Sequence, residues 1–211
     1  MTDNPTLSFY NQHADAYIKQ TRQIDLHALY DAFVSQLPTD IKIPQHILDV
    51  GCGSGRDSFW FSNSLGANVT AIDGSSELIK RNQAYYAASN INWRHLKFKD
   101  IKHQGWQNQF IGIWACASLL HLPFNELPNT LEDLMDTLVS GGTMYASFKH
   151  GDSGRWEGDR FFCDMNKERF VEALQLINFN SYLDYKTWIS ADQQGGREVE
   201  WFNVLLIKRG K

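Results

Sequence analysis

The chain reads as an α/β fold, a parallel sheet covered by helices on both faces, and three observations predict it. Residues Ile47 to Asp57 run I-L-D-V-G-C-G-S-G-R-D, a buried apolar strand entering a loop with glycine at 51, 53 and 55 and then a helix. About one helix later, Val69-Thr70-Ala71-Ile72-Asp73 forms a second strand that ends on a carboxylate. From Ile47 onward, strand and helix patterns alternate, which is the signature of parallel strands joined by crossover helices.

The elements follow in order. Residues 6–37 read as helical up to Pro38, with Tyr10, Ala14, Tyr17 and Ile18 on one face. Leu26, Leu29, Tyr30, Phe33 and Leu37 then recur at helical spacing. Strands are predicted at 47–51, 68–73, 92–97, 110–117 and 142–148, and helices at about 55–65, 75–89 and 125–139. Ser75 or Ser76 suits the cap of the second of these helices, with Glu77 in its first turn. The pair Gly141-Gly142 marks a helix end and a strand start. A last helix near 166–177 begins at Asn166, and two strands near 181–189 and 198–208 close the chain. No repeat, low-complexity tract or internal linker divides it, so 1–211 reads as one domain, with a helical lid over 1–40 and an α/β core over 41–211.

Composition narrows the class. Apolar residues make up 43% of the 211, which excludes wholesale disorder. Lys+Arg 20 against Asp+Glu 24 gives a net charge of −4, unlike a protein that coats nucleic acid by bulk charge. Cys52, Cys116 and Cys163 lie far apart, giving neither a disulfide framework nor a zinc site, so no metal is expected and a reducing compartment fits. The polar N-terminus lacks a signal-peptide pattern and no stretch approaches the ~20 apolar residues of a membrane span. The expectation is a soluble cytoplasmic protein without a membrane partner. Its oligomeric state is not written in the sequence.

The glycine loop points to a ligand. Glycine lets the backbone pass close to a bound molecule and present its N–H groups. A carboxylate at the tip of the next strand can accept both hydroxyls of a ribose. Together they predict an adenosine-containing cofactor. A dinucleotide loop would read G-x-G-x-x-G. Here the spacing is G-x-G-x-G, and Asp49 stands two residues ahead, where it would repel pyrophosphate but suit an ammonium group.

The run D-V-G-C-G-S-G-R resembles motif I of the class I S-adenosylmethionine-dependent methyltransferases, and Asp73 matches their ribose-binding acid. The resemblance implies a Rossmann-like, seven-stranded sheet whose last strand is antiparallel, with N-terminal helices closing over the cofactor. Lys99-Asp100-Ile101 falls where the family contacts the adenine amino group. Trp114 to His121 (W-A-C-A-S-L-L-H) is similar to motif IV of a small-molecule subgroup that includes tellurite-resistance-related proteins, as are Ser147-Phe148-Lys149, Arg160-Phe161-Phe162 and Glu200 to Asn203. Ile111 replaces an acid usual in that subgroup, and Gly151 to Gly154 lacks the glutamate expected after the lysine.

Roles can then be assigned as expectations. Gly51, Cys52, Gly53 and Gly55 would line the methionine end, Asp49 would organise it or else cap the loop internally, and Asp73 would hold the ribose or cap a helix. Asp100 would reach the adenine amine or serve as a turn residue, with Ile101 and Gly74 flanking the ring. His121 follows an apolar strand at the carboxyl edge, as a general base or as a histidine bonded to backbone. Lys149 follows another strand, and Arg160 would lie on a long loop among Trp156, Phe161 and Phe162. Two such cations with aromatic neighbours suit an acidic or planar substrate, unless they are merely solvated. Tyr17, with Tyr10 and Arg22, belongs to the lid and faces either the core or the ligand. Arg56 and Asp57 are expected to pack and cap, although the resemblance would also place Arg56 near the cofactor.

The resulting expectation is methyl transfer from S-adenosylmethionine to a small molecule. Its rivals are a nucleic-acid methyltransferase, a non-catalytic protein that binds the same cofactor, and a nicotinamide oxidoreductase. The first would want a basic surface and an N-P-P-Y or D-P-P-Y motif, where this chain has Ala115-Cys116-Ala117-Ser118.

Overall fold

The computed structural model describes residues 4–39, 45–178, 183–192 and 198–209. Three short helices lead the chain, α1 (Pro5–Gln12), α2 (Ala14–Thr21) and α3 (His27–Val34). The tract predicted as helical over 6–37 is therefore broken twice. His13, at φ −110° and ψ 19°, separates α1 from α2, and residues 22–26 separate α2 from α3. The breaks turn one apolar pattern toward two surfaces. Ala14 and Ile18 bury against Leu78 with Tyr10 and Tyr17 beside them, whereas Leu26, Tyr30 and Phe33 pack with Phe61 and Trp114.

Among the described residues nine strands follow in chain order: β1 (His46–Val50), β2 (Asn68–Asp73), β3 (Asn92–His95), β4 (Phe110–Ala115), β5 (Leu138–Lys149), β6 (Gly154–Glu157), β7 (Arg160–Cys163), β8 (Leu183–Ala191) and β9 (Glu200–Lys208). Seven of them form one sheet in the order β3-β2-β1-β4-β5-β9-β8. β9 runs antiparallel to both neighbours, and the remaining contacts are parallel. Helices α4 (Arg56–Asn63), α5 (Ser76–Tyr85), α6 (Leu127–Thr137) and α7 (Lys167–Gln175) complete the alternation. Ser75 caps α5 by accepting the Leu78 N–H, and Asn166 caps α7 by accepting that of Arg169, as their side chains predict.

Both faces of the sheet are covered. Leu131, Leu134 and Phe170 from α6 and α7 pack on one side, and Tyr30, Phe33 and Phe61 from α3 and α4 on the other. All six residues of β4 are buried, which is why that segment reads as a continuous apolar run rather than an alternating one. The strand order reverses between β1 and β4, and at such a switch point the loops diverge and leave a crevice at the carboxyl ends.

Some boundaries differ from the sequence reading. The strands predicted to reach 97 and 117 stop at His95 and Ala115, because tight helical turns begin at Phe98 and Leu119. Helix α6 stops at Thr137, and Gly141-Gly142 lies inside β5, where the register against β4 shifts between Phe110 and Gly112. Gly141, at φ 80°, absorbs that irregularity. Residues 181–182 of the predicted strand 181–189 lie outside the described residues. The segment read as a long loop after Lys149 is the β6–β7 hairpin, so Arg160 stands on a strand instead.

Candidate functional site

At the switch point the chain forms a cleft of about 220 Å³. Gly51, Cys52 and Gly53 contribute to its wall from the β1–α4 loop, Ala117 and His121 from the segment after β4, and Lys149 from the end of β5. Arg160 and Phe162 enter from the hairpin, Trp201 and Asn203 from β9, and Tyr10 and Tyr17 from the leading helices. Of the residues singled out in the sequence, Cys52, Gly51, Gly53, Tyr17, His121, Lys149 and Arg160 thus meet in one place. Asp49, Gly55, Asp73, Gly74, Asp100 and Ile101 lie behind or beside that wall rather than on it.

Local geometry explains the glycines. Gly51 and Gly53 have φ of 75° and 52°, in the left-handed region that disfavours a Cβ. A Cβ at Gly51 would fall 2.4 Å from Ser118 Cβ, and one at Gly53 would fall 3.1 Å from the Tyr17 ring and hydroxyl. The loop nevertheless presents few free donors. The N–H groups of Gly51 and Cys52 both donate to the Ile72 carbonyl (2.8 and 2.9 Å), Gly55 N–H donates to the Cys52 carbonyl, and Gly53 N–H donates to Asp73. What the glycines provide is close approach, not a row of open N–H groups as their spacing first implied.

The acids are held by the protein itself. Asp73 is buried and accepts from Gly53 N–H at 3.0 Å and Ser75 N–H at 2.8 Å, which ties the glycine loop to the start of α5. Burial raises its pKa, against the two backbone hydrogen bonds. Each carboxylate oxygen has a second lone pair, so these bonds leave acceptor capacity for hydroxyls. Leu7 of α1 covers the neighbouring Gly74. Asp49 is buried and accepts from Ser58 Oγ at 2.5 Å; burial, reinforced by the Asp57 charge, pushes its pKa well up. Asp100 sits half-buried on a 3-10 helix (Phe98–His103), with Ile101 buried beside it. Arg56 and Asp57 form a close ion pair, as packing residues should, and Asp57 also accepts from Tyr30 Oη (2.6 Å) and Trp114 Nε1 (2.9 Å).

His121 has a defined tautomer. Its Nδ1 lies 2.7 Å from the Phe161 carbonyl, which can only accept, so Nδ1 carries the proton. Nε2 therefore presents a lone pair, and Tyr10 Oη, 2.8 Å away, donates to it. Burial lowers the His121 pKa to about 4. The ring is thus neutral near pH 7: it bonds backbone on one side, and the Tyr10 hydroxyl occupies its lone pair on the other.

The cations divide. Lys149 Nζ donates to both Glu157 carboxylate oxygens at 3.0 Å, and Arg155 also pairs with Glu157. Burial raises the Glu157 carboxyl, but these two cations outweigh it and hold its pKa at about 2. Arg160 stacks instead, its guanidinium 4.7 Å from the Phe9 ring centre and 5.2 Å from that of Phe162.

Three features escaped the sequence reading. Ala117 sits at φ 49°, a strained value for a residue with a Cβ, and its N–H donates to Ser147 Oγ. Ser118 Oγ is buried beside Gly51 without a partner. Tyr10 reaches His121 across a separation in sequence of 111. A strained backbone and a glycine surface on the cleft, with an orphaned hydroxyl packed behind Gly51, fit a bound cofactor with polar atoms of its own. Among the described residues no group of His, Cys, Asp and Glu could hold a metal ion, and no helix is long and apolar enough to cross a membrane.

Comparison with known proteins adds four findings. Residues 47–142, a little under half of the chain, match the family model of a methyltransferase domain. An O-methyltransferase, resE, of Aspergillus sclerotiorum is 33% identical over 82 residues, which cover 37% of this chain and 30% of that protein. The chain therefore spans about a third of the length of that relative. Among solved structures, a Burkholderia thailandensis 1,6-didemethyltoxoflavin-N1-methyltransferase with bound 1,6-didemethyltoxoflavin and S-adenosylhomocysteine superposes with a TM-score of 0.71 at 17% identity, covering 97% of this chain and 85% of that one. The [4+2]-cyclase SpnF superposes at 0.64 with 16% identity, covering 87% and 81%. These likenesses establish the fold, and the last shows that the fold alone does not fix the reaction.

Proposed function

We propose that the chain is a class I S-adenosylmethionine-dependent methyltransferase acting on a small molecule in the cytoplasm, and that residues 1–40 serve as its lid. One observation carries the reading: the glycine backbone of 51–53 and the His121, Lys149 and Arg160 side chains face one another across a single switch-point cleft. The matched methyltransferase domain and the superposed methyltransferase support it. In this reading Gly51, Cys52 and Gly53 bear on the methionine end, Asp73 on the ribose, and Asp100 and Ile101 on the adenine side. The motif around His121 supports placing the chain in the small-molecule subgroup with tellurite-resistance-related relatives.

S-Adenosylmethionine supplies a methyl group on a cationic sulfur, ready for displacement. The chain's part is then to align an acceptor and exclude water, which for well-oriented reactants is worth several kcal/mol. Isothermal titration with S-adenosylhomocysteine tests the reading directly, and absence of binding would end it. Consumption of methyl-labelled cofactor with a metabolite pool separates an enzyme from a binding protein. NADH affinity would favour the oxidoreductase. Asp73→Ala should weaken cofactor binding by ~1.5–3 kcal/mol, the value of a hydrogen bond to a charged group. Unchanged affinity in a folded variant would remove Asp73 from the ribose site.

A further inference from the structure

The cleft holds several ionisable groups, yet the protein has already committed its bases. The His121 lone pair is taken by Tyr10, and its other nitrogen is bound to the Phe161 carbonyl. Glu157 is bracketed by Lys149 and Arg155, and Asp57 by Arg56, Tyr30 and Trp114. At the rim, Asp192 accepts from Trp201 Nε1 at 3.2 Å. Burial lifts the Cys116 thiol to about 12, so it stays protonated. Among the described residues, each of these groups already has a protein partner, so a neutral alcohol or phenol entering here would have to compete for a proton acceptor.

The cations show the opposite imbalance. Lys149 and Arg56 each have a carboxylate partner. Among the described residues Arg160 has none within ion-pair distance, and its Nε is buried without a hydrogen bond. Its planar guanidinium lies between the Phe9 and Phe162 rings, which fix its orientation and restrict water around it. An oriented cation without a counter-charge, in a cleft with aromatic walls, calls for an anion with a planar apolar body.

Resting on the methyltransferase reading above, we propose that the acceptor arrives already ionised, as an aromatic or otherwise planar carboxylate, and that Arg160 is its counter-charge. A carboxylate has about four lone-pair sites, so Arg160 can hold it and leave one oxygen free. That oxygen donates a lone pair to form the new O–CH3 bond, while the pair of the breaking C–S bond returns to sulfur. The products are a neutral methyl ester and a neutral thioether. No proton moves, which suits a cleft whose bases already have protein partners. His121 then acts as a positioning residue, through Tyr10.

The test is binding of benzoate and phenylacetate, each against its amide, to protein saturated with S-adenosylhomocysteine, read by ligand-observed NMR. The acids should bind at least about tenfold more tightly than the amides, as expected for a charge-assisted contact. Arg160→Gln should erase that difference, and Arg160→Lys should restore part of it. Equal binding of acid and amide, no binding of either acid at millimolar concentration, or indifference to Arg160→Gln would each overturn the proposal. Titration of the same samples with S-adenosylhomocysteine keeps the outcomes apart. Failure there sinks the methyltransferase reading, whereas cofactor binding without acid preference sinks only the carboxylate. Unchanged affinity for S-adenosylhomocysteine in both variants shows that they are folded.

Discussion

At the scale of single residues, the cleft is defined by positions where a side chain cannot be added. Gly51 combines a φ of 75° with a virtual Cβ only 2.4 Å from Ser118 Cβ. Alanine there meets two separate penalties, ~1–2 kcal/mol for the left-handed backbone and a further overpacking cost of similar size. Gly51→Ala should therefore lower stability by roughly 2–4 kcal/mol. Adding Ser118→Gly should recover the part due to the clash but not the part due to φ, which denaturant midpoints of the single and double variants would resolve. His121 gives a second prediction. Its folded pKa, about 4, lies below the ordinary 6.5, so the unfolded chain binds the extra proton first. Stability from this residue is complete above about pH 6.5 and is lost as pH falls toward about 4, by up to ~3 kcal/mol. Urea midpoints at pH 7 and pH 5 should separate less in His121→Gln than in the wild type.

At the scale of elements, α1 acts as a strap fastened to the β6–β7 hairpin. Phe161 N–H donates to Thr6 Oγ1 at 3.0 Å, Arg160 stacks on Phe9, and Tyr10 bonds His121. Thr6→Val keeps the shape but strands the Phe161 amide, at a cost of ~1–3 kcal/mol. Faster hydrogen exchange at Phe161 than at the sheet amides of β4 is the expected signature, and unchanged exchange would mean the strap does not depend on Thr6. This arrangement also shows where sequence patterning stops. The strand 110–115 was legible because burial on both faces leaves an unbroken run without a charged residue, and 47–50 because only Asp49 interrupts its apolar residues. The hairpin was not, because its strands are four residues each and carry Arg155 and Arg160, of which Arg160 lines the cleft. Its one local cue is Gly158-Asp159 between the paired Glu157 and Arg160, a two-residue turn with Gly158 at φ 58°. The apolar stripe of residues 6–37 was readable, but not its two breaks, because His13 and Arg22 to Leu26 contain no proline or glycine. Contacts such as Tyr10 with His121 have no sequence signature, since nothing local encodes a partner 111 residues away.

At the scale of the whole molecule, Asp57 joins parts that are distant in the chain. Its carboxylate receives Tyr30 from α3, Arg56 from its own helix α4, and Trp114 from the central strand β4. Arg56 in turn donates to the Thr21 carbonyl at the end of α2. The leading helices, the glycine-loop helix and the middle of the sheet are thus referenced to one buried anion. Burial pushes the Asp57 carboxyl up, yet the Arg56 charge and the surrounding hydrogen bonds hold its pKa below the usual range. Such a group contributes stability that is present above the unfolded pKa of about 4 and is lost as pH falls through its folded value. Removing it strands a buried guanidinium, a phenol and an indole at once. Asp57→Ala should cost ~3–5 kcal/mol, the range for breaking a buried ion pair, and leave little folded protein at 37 °C. Asp57→Asn keeps the shape and one acceptor but loses the charge, so it should fall between Asp57→Ala and the wild type. Thermal unfolding followed by tryptophan fluorescence orders the three, with Trp114 inside the affected cluster. If Asp57→Ala unfolds within a degree or two of the wild type, the leading helices and the sheet must be held together by apolar packing alone.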